Sequence, residues 1–197
     1  MADFARDIRG ELARHLAPAE VSFRGSLAEG THDEYSDVDL LARVSSELDG
    51  RFFSALEKRL VDLYGPALVR YDPYHVGNLD SQHVRFSFYE LPVFWRVDLE
   101  IASDKATAEK WPSPFPEWSV GTSALMNVVW AIKYRARGDV PSADHYLASA
   151  CDKLGEARLR YSVENVRWIL DHLRSTGDAD AVLVARTREA VRYAGSY

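Results

Sequence analysis

The sequence predicts an α+β protein, with an N-terminal domain of helices and a mixed β-sheet followed by a C-terminal helical bundle. Three observations lead there. Strand-like and helix-like hydrophobic spacings alternate through the first 110 residues, strand signals cease after that, and a proline-rich stretch separates the two regimes. The predicted organisation is a domain over 1–110, a linker over 111–119 and a helical domain over 120–197.

Residues 3–16 carry Phe4, Ile8, Leu12 and Leu16 at intervals of four, the apolar stripe of an amphipathic helix. Val21 and Phe23 alternate with polar neighbours and run into Gly25-Ser26, as a short strand ending in a turn does. Val38, Leu40, Leu41 and Val44 mark a second strand. Phe52, Phe53, Leu56, Leu60, Leu63 and Tyr64 follow a helical period until Gly65-Pro66 ends it. Val84, Phe86 and Phe88 alternate again, as do Val97, Leu99 and Ile101, and the pair is predicted to be antiparallel across a turn at Glu90-Leu91-Pro92. In WPSPFPEWS, residues 111–119, three prolines withhold backbone donors, which fits a linker. Helical spacing then fills 121–137, 141–155, 162–175 and 178–193, punctuated by Gly138, Gly155 and Gly177.

Composition narrows the classes of function. With 47% hydrophobic and 27% charged residues the 197-residue chain has the make-up of a globular protein, and no apolar run is long enough for a bilayer. Its first sixteen residues are charged throughout, unlike a secretion signal, so a cytoplasmic location is expected. A single cysteine, Cys151, excludes an internal disulfide and a cysteine-rich zinc site. A net charge of −6 argues against a broad electrostatic grip on nucleic acid, because that grip comes from Lys and Arg neutralising phosphates. The histidines show no H-x-x-x-H spacing, and His32, His75, His83 and His145 read as polar surface or loop residues.

The chemistry is concentrated in residues 23–40, FRGSLAEGTHDEYSDVDL. A glycine and a serine at the end of a strand, Gly25 and Ser26, let backbone approach a phosphate and offer it a hydroxyl and N–H donors. Side chains alternate along a strand, so Asp37 and Asp39 project from one face about 7 Å apart, while Val38 turns to the core. Two carboxylates held together repel unless a cation lies between them. Mg²⁺ suits such a site, taking a few carboxylates with phosphate oxygens and water. A third carboxylate on a neighbouring strand completes a two-metal arrangement, and Asp98, between Val97 and Leu99, is the first candidate. Glu100 shares its face and is the alternative, as a ligand or as a general base.

Gly25-Ser26, Gly30-Thr31 and Ser36-Asp37-Val38-Asp39-Leu40 at this spacing resemble the signature of the nucleotidyltransferase superfamily related to DNA polymerase beta. In outline the chain is most similar to its small members with helical C-terminal domains, the aminoglycoside and lincosamide nucleotidyltransferases. The resemblance implies that Gly25 and Ser26 contact the nucleotide phosphates, that Asp37 and Asp39 bind both metal ions, and that Asp98 is the third ligand. Many members have basic residues where this chain has Leu27 and Glu29, so Arg24, or Lys133 of the first C-terminal helix, is expected to compensate.

The expected function is therefore transfer of a nucleoside monophosphate, AMP from ATP with Mg²⁺, to a hydroxyl of a small molecule. An aminoglycoside-like polyamine is one such acceptor, with Glu109, Glu117, Asp144 and Glu156 as its acidic partners. The alternative is a non-catalytic module that keeps the fold and binds a partner, as an antitoxin-like regulator does. Tyr71, Tyr74, Trp95, Trp111, Trp118 and Trp130 are enough aromatics for a stacking surface, and core packing accounts for them as well. Neither a nucleic-acid nor a membrane partner is expected, and oligomeric state is left open.

Overall fold

A computed structural model describes residues 1–16, 19–45, 50–71, 81–103 and 119–194. The chain divides into two compact units, Met1–Pro116 and Glu117–Tyr197. All but one residue of the expected linker lies outside the described residues; the exception is Ser119.

The first unit contains helix α1 (Ala2–His15), strand β1 (Ala19–Phe23), the short helix α2 (Gly25–Glu29) and strand β2 (Val38–Val44). Helix α3 (Gly50–Tyr64) follows, then strands β3 (Ala67–Tyr71), β4 (Ser81–Phe88) and β5 (Val97–Ser103). The strands form one mixed sheet in the order β1-β2-β5-β4-β3. β2 and β5 run parallel at its centre, and every other pair is antiparallel, including the expected β4–β5 pair. Strand β3 is not anticipated by the sequence reading. It is a five-residue edge strand, too short to show a period.

One face of the sheet is apolar. Val38, Leu40 and Ala42 of β2, Val97, Leu99 and Ile101 of β5, and Val84 and Phe86 of β4 are all buried there. They share a core with Ile8 and Leu12 of α1 and with Phe53, Leu56 and Leu60 of α3. Each large aliphatic or aromatic side chain so buried contributes roughly 1.5–3 kcal/mol. The two helices are also tied by charge. Glu11, buried in α1, accepts from Arg59 Nε of α3 at 2.6 Å and pairs with Arg14 at 2.5 Å, which offsets the cost of burying its carboxylate. Tyr64 Oη donates to Asp7 at 2.7 Å, and burial together with that bond pushes its ionisation above the ordinary tyrosine range. With the core on one side, the alternate residues of each strand are left to form a second, polar face.

The second unit is four helices, α4 (Val120–Ala136), α5 (Val140–Leu154), α6 (Val163–Thr176) and α7 (Ala181–Ala194). Their starts carry the side chains that such starts require. Ser119, Asp139 and Ser162 accept from the backbone N–H groups of Thr122, Ser142 and Asn165, respectively. Gly155 and Gly177 close α5 and α6 in the left-handed conformation. α4 is buried on most of its circumference, through Leu125, Val128, Ile132 and their neighbours, and packs against the other three helices.

Candidate active site

The polar face of the sheet gathers the residues singled out by sequence. Register sets Asp39 of β2 beside Asp98 of β5, because these central strands are parallel and pair residue for residue from Val38↔Val97 onward. Asp37, one residue before β2, completes the group. Ligand oxygens of Asp37, Asp39 and Asp98 all lie within 4.8 Å of one another, and each side chain is partly exposed. The all-oxygen donor set of the triad matches a hard divalent cation. The three carboxylates fit the metal that their chemistry implies.

The loop before β2 is built to hold Asp37. Asp33 begins a turn in which Ser36 Oγ donates to Asp33 Oδ1 at 2.9 Å, Tyr35 N donates to the same oxygen at 3.0 Å, and Asp33 N donates back to Ser36 Oγ at 3.0 Å. Ser36 is buried, so the serine of the Ser-Asp motif locks the turn. Trp95 Nε1 donates to Glu34 O at 3.0 Å, and the Trp95 ring stacks on Phe4, so this aromatic braces the loop. Val38 N donates to Arg96 O at 2.8 Å, which joins the start of β2 to the approach to β5.

Gly25 sits against Asp39 of the aspartate triad. Its φ of +53° is a backbone conformation that suits glycine, and a β-carbon there would come within 2.8 Å of Asp39 Oδ2. Arg24 N donates to Asp39 O at 2.9 Å, so the Gly25-Ser26 corner is hydrogen-bonded to the strand that carries Asp39. Thr31 N donates to Ser26 O at 2.9 Å and closes the short α2 behind it.

Arginines surround the carboxylates. Arg96 Nη2 lies 2.7 Å from Asp98 Oδ2 and 3.5 Å from Asp37 Oδ2, and Arg85 Nε of β4 lies 2.5 Å from Asp98 Oδ1. Neither is among the residues the sequence reading assigns to the site. The signal for Arg85 was present in β4, where it alternates with buried Val84 and Phe86 and so faces the same way as the triad. Arg96 lies two residues before Asp98, a spacing that already lets the two pair, and the fold brings Asp37 to its other side.

Glu100 is not a member of the triad. Its Oε2 forms an ion pair with Arg24 Nη1, and His83 Nε2, opposite it in register, lies 3.7 Å away. Arg24, expected at the phosphates, is therefore tethered to β5 beside the Gly25-Ser26 corner. Lys133 belongs to the second unit, where it is buried, with its ammonium 4.3 Å from the centre of the Trp130 ring. That departs from a lysine held in solvent on an amphipathic helix, because α4 has little exposed face to offer. Trp130 is stacked with Tyr134 and Tyr146. Of the other aromatics, Tyr74, Trp111 and Trp118 lie outside the described residues.

Residues 5–76 match the family model described as a nucleotidyltransferase domain. The match includes Gly25, Ser26, Asp37 and Asp39, whereas Asp98 lies beyond it and joins them through strand pairing alone. No curated protein matches the chain.

Proposed function

We propose, from the match of residues 5–76 to the nucleotidyltransferase domain model, that the chain is a Mg²⁺-dependent enzyme transferring AMP from ATP to a hydroxyl of a small-molecule acceptor. The observation that carries this reading is the convergence of Asp37, Asp39 and Asp98 beside the Gly25-Ser26 corner. The three aspartates would hold the metal, which when bound supplies Lewis acidity at the α-phosphate and acidifies the attacking hydroxyl. Gly25 has no β-carbon to bar a phosphate from the corner, and Ser26 offers its hydroxyl and N–H there. Glu100 acts on that corner by holding Arg24, and a carboxylate of the site receives the acceptor's proton. The acceptor oxygen bonds to the α-phosphorus, the bond from that phosphorus to the bridging oxygen breaks, and pyrophosphate leaves with the electron pair.

An aminoglycoside-like acceptor is the polycationic version of this reading. Two of its expected acidic partners, Glu109 and Glu117, lie outside the described residues. Asp144 already accepts from Tyr161 N at 2.6 Å, and Glu156 lies 3.9 Å from His172 Nδ1. Lys133 as a phosphate ligand rests on the expectation from sequence, and its seat on Trp130 supports packing within the second unit.

The direct test is calorimetric titration of ATP into the protein with Mg²⁺ present, beside the Asp37→Ala/Asp39→Ala double variant. Wild type is expected to bind, and the double variant to lose at least about 100-fold in affinity, since removing two carboxylates removes the metal bridge to the phosphates. A wild-type protein that ignores Mg-ATP would leave the fold as a non-catalytic binding module.

A further inference from the structure

The three aspartates that gather for a cation already face cations of the protein's own. Arg96 Nη2 lies 2.7 Å from Asp98 Oδ2 and 3.5 Å from Asp37 Oδ2, and Arg85 Nε lies 2.5 Å from Asp98 Oδ1. Arg96 therefore spans two of the three candidate metal ligands. Its backbone is fixed there, because Val38 N, between Asp37 and Asp39 in the chain, donates to Arg96 O at 2.8 Å. Arg96, Asp37 and Asp98 expose only 14%, 15% and 17% of their side chains, so water screens this bridge little.

From these contacts we propose that Arg96 is the triad's resident counter-ion: in the metal-free protein it holds Asp37 and Asp98 together, and it competes with the divalent ion for them. This step rests on the metal-binding reading of the site and adds to it a residue that sets how tightly the ion is held. Three ionised carboxylates with oxygens within 4.8 Å of one another repel. Without positive charge among them, β2, β5 and the turn at Asp33–Ser36 would have to assemble against that repulsion. Arg96 and Arg85 supply the charge, so the ligands are brought together before an ion arrives.

The same contacts oppose the ion. A guanidinium and a doubly charged ion sharing one carboxylate repel each other, so Arg96 must withdraw from Asp98 Oδ2 before the triad can hold a cation at full strength. An ion that binds only the open form has its apparent affinity reduced by the fraction of molecules that are open. A bridge closed in about nine of ten molecules thus weakens binding about tenfold. A purely supporting role for Arg96 predicts the opposite sign. An arginine that merely orients Asp98 toward the metal strengthens binding, as hydrogen-bonded partners of ligating carboxylates do, and its loss weakens binding by about 10–100-fold.

The experiment titrates Mn²⁺ into the intact metal-free protein, wild type and Arg96→Gln, and reads the free ion by electron paramagnetic resonance. Arg96→Gln is expected to bind Mn²⁺ at least about fivefold tighter than wild type. It is also expected to unfold at a lower temperature in metal-free buffer, with the difference shrinking at saturating Mn²⁺, because the ion replaces the charge that was removed. A smaller gain in affinity, no change or a loss overturns the proposal while leaving the metal site itself intact. Should Arg96→Gln not fold without metal, wild type alone decides the matter through the Arg96 side-chain NMR signals during a Mg²⁺ titration. Nη protons held apart by the bridge are expected to merge into one freely rotating signal as the site fills, and Nη protons still restrained at saturation overturn the proposal. If neither protein binds Mn²⁺, or if binding survives Asp37→Ala/Asp39→Ala, the metal-binding reading fails first and this one fails with it.

Discussion

Replacing Gly25 by alanine separates the two reasons for a glycine beside the metal triad. The first is conformational, since an L-residue at φ +53° costs about 1–2 kcal/mol, partly offset by a less flexible unfolded chain. A net loss of about 1 kcal/mol lowers the midpoint of thermal unfolding by roughly 2–4 °C in a chain of this length. The second is contact with Asp39. The new methyl would lie 2.8 Å from Oδ2, so the carboxylate must retreat by about 0.6 Å to reach ordinary van der Waals distance. Metal–ligand distances tolerate about 0.2 Å, so that retreat is expected to weaken divalent-ion binding by about 10–100-fold. The assay is Mn²⁺ titration followed by electron paramagnetic resonance, with thermal unfolding measured in metal-free buffer. Repeating it on the Asp39→Ala background isolates the contact. There Gly25→Ala should cost only the conformational part and should not change metal affinity further. A Gly25→Ala protein that binds Mn²⁺ and Mg-ATP within twofold of wild type would refute the claim that this glycine serves the metal ligand.

Two further outcomes test the second unit. Gly121, in the first turn of α4, donates to Asp178 Oδ2 at 2.7 Å, and a β-carbon there would overlap the Asp178 carbonyl group. Gly121→Ala is therefore expected to destabilise that unit by about 1–3 kcal/mol, read by chemical denaturation, because backbone rather than a mobile side-chain tip must give way. Tyr161 is held protonated by burial, with its ionisation pushed up to about 12 and nearby Arg135 opposing the shift. The folded state binds this proton more tightly than the unfolded chain, so the contribution to stability is complete below the ordinary tyrosine value and is lost as pH rises through about 12. Absorbance titration at high pH should lose one late-ionising phenol in Tyr161→Phe, and an unchanged curve would contradict the assignment.

Much of the candidate site could be read from residues 23–40 because its parts are local. A two-residue spacing already suggests Asp37 and Asp39 on a common side, which the turn at Asp33–Ser36 enforces because Asp37 lies just before β2, and a glycine before a serine marks a tight corner whatever the surroundings. Helix ends in the second unit were legible for a similar reason, since Gly155 and Gly177 close helices through contacts within a few residues, whereas the N-caps Ser119, Asp139 and Ser162 emerged with the structure. β3 was not, because a short edge strand is held by its partner more than by its own pattern.

Asp98 and Glu100 show where local information ends. Both lie on the polar side of β5 and are equivalent by alternation, so sequence alone ranked them without deciding between them. Pairing in parallel register sets Asp98 beside Asp39 and carries Glu100 one step onward to Arg24 and His83. The arginines carry the same lesson further, because Arg85 reaches Asp98 only through strand pairing, and Arg96, which pairs with Asp98 two residues on, meets Asp37 only once the strands are assembled. By itself the sequence determined which side chains share a strand face and where the backbone turns, because those depend on neighbours a few residues away. Only the tertiary structure decided which faces meet, because strand order and register are set by burying the apolar side of the whole sheet at once, and charge on the other side is carried along with it.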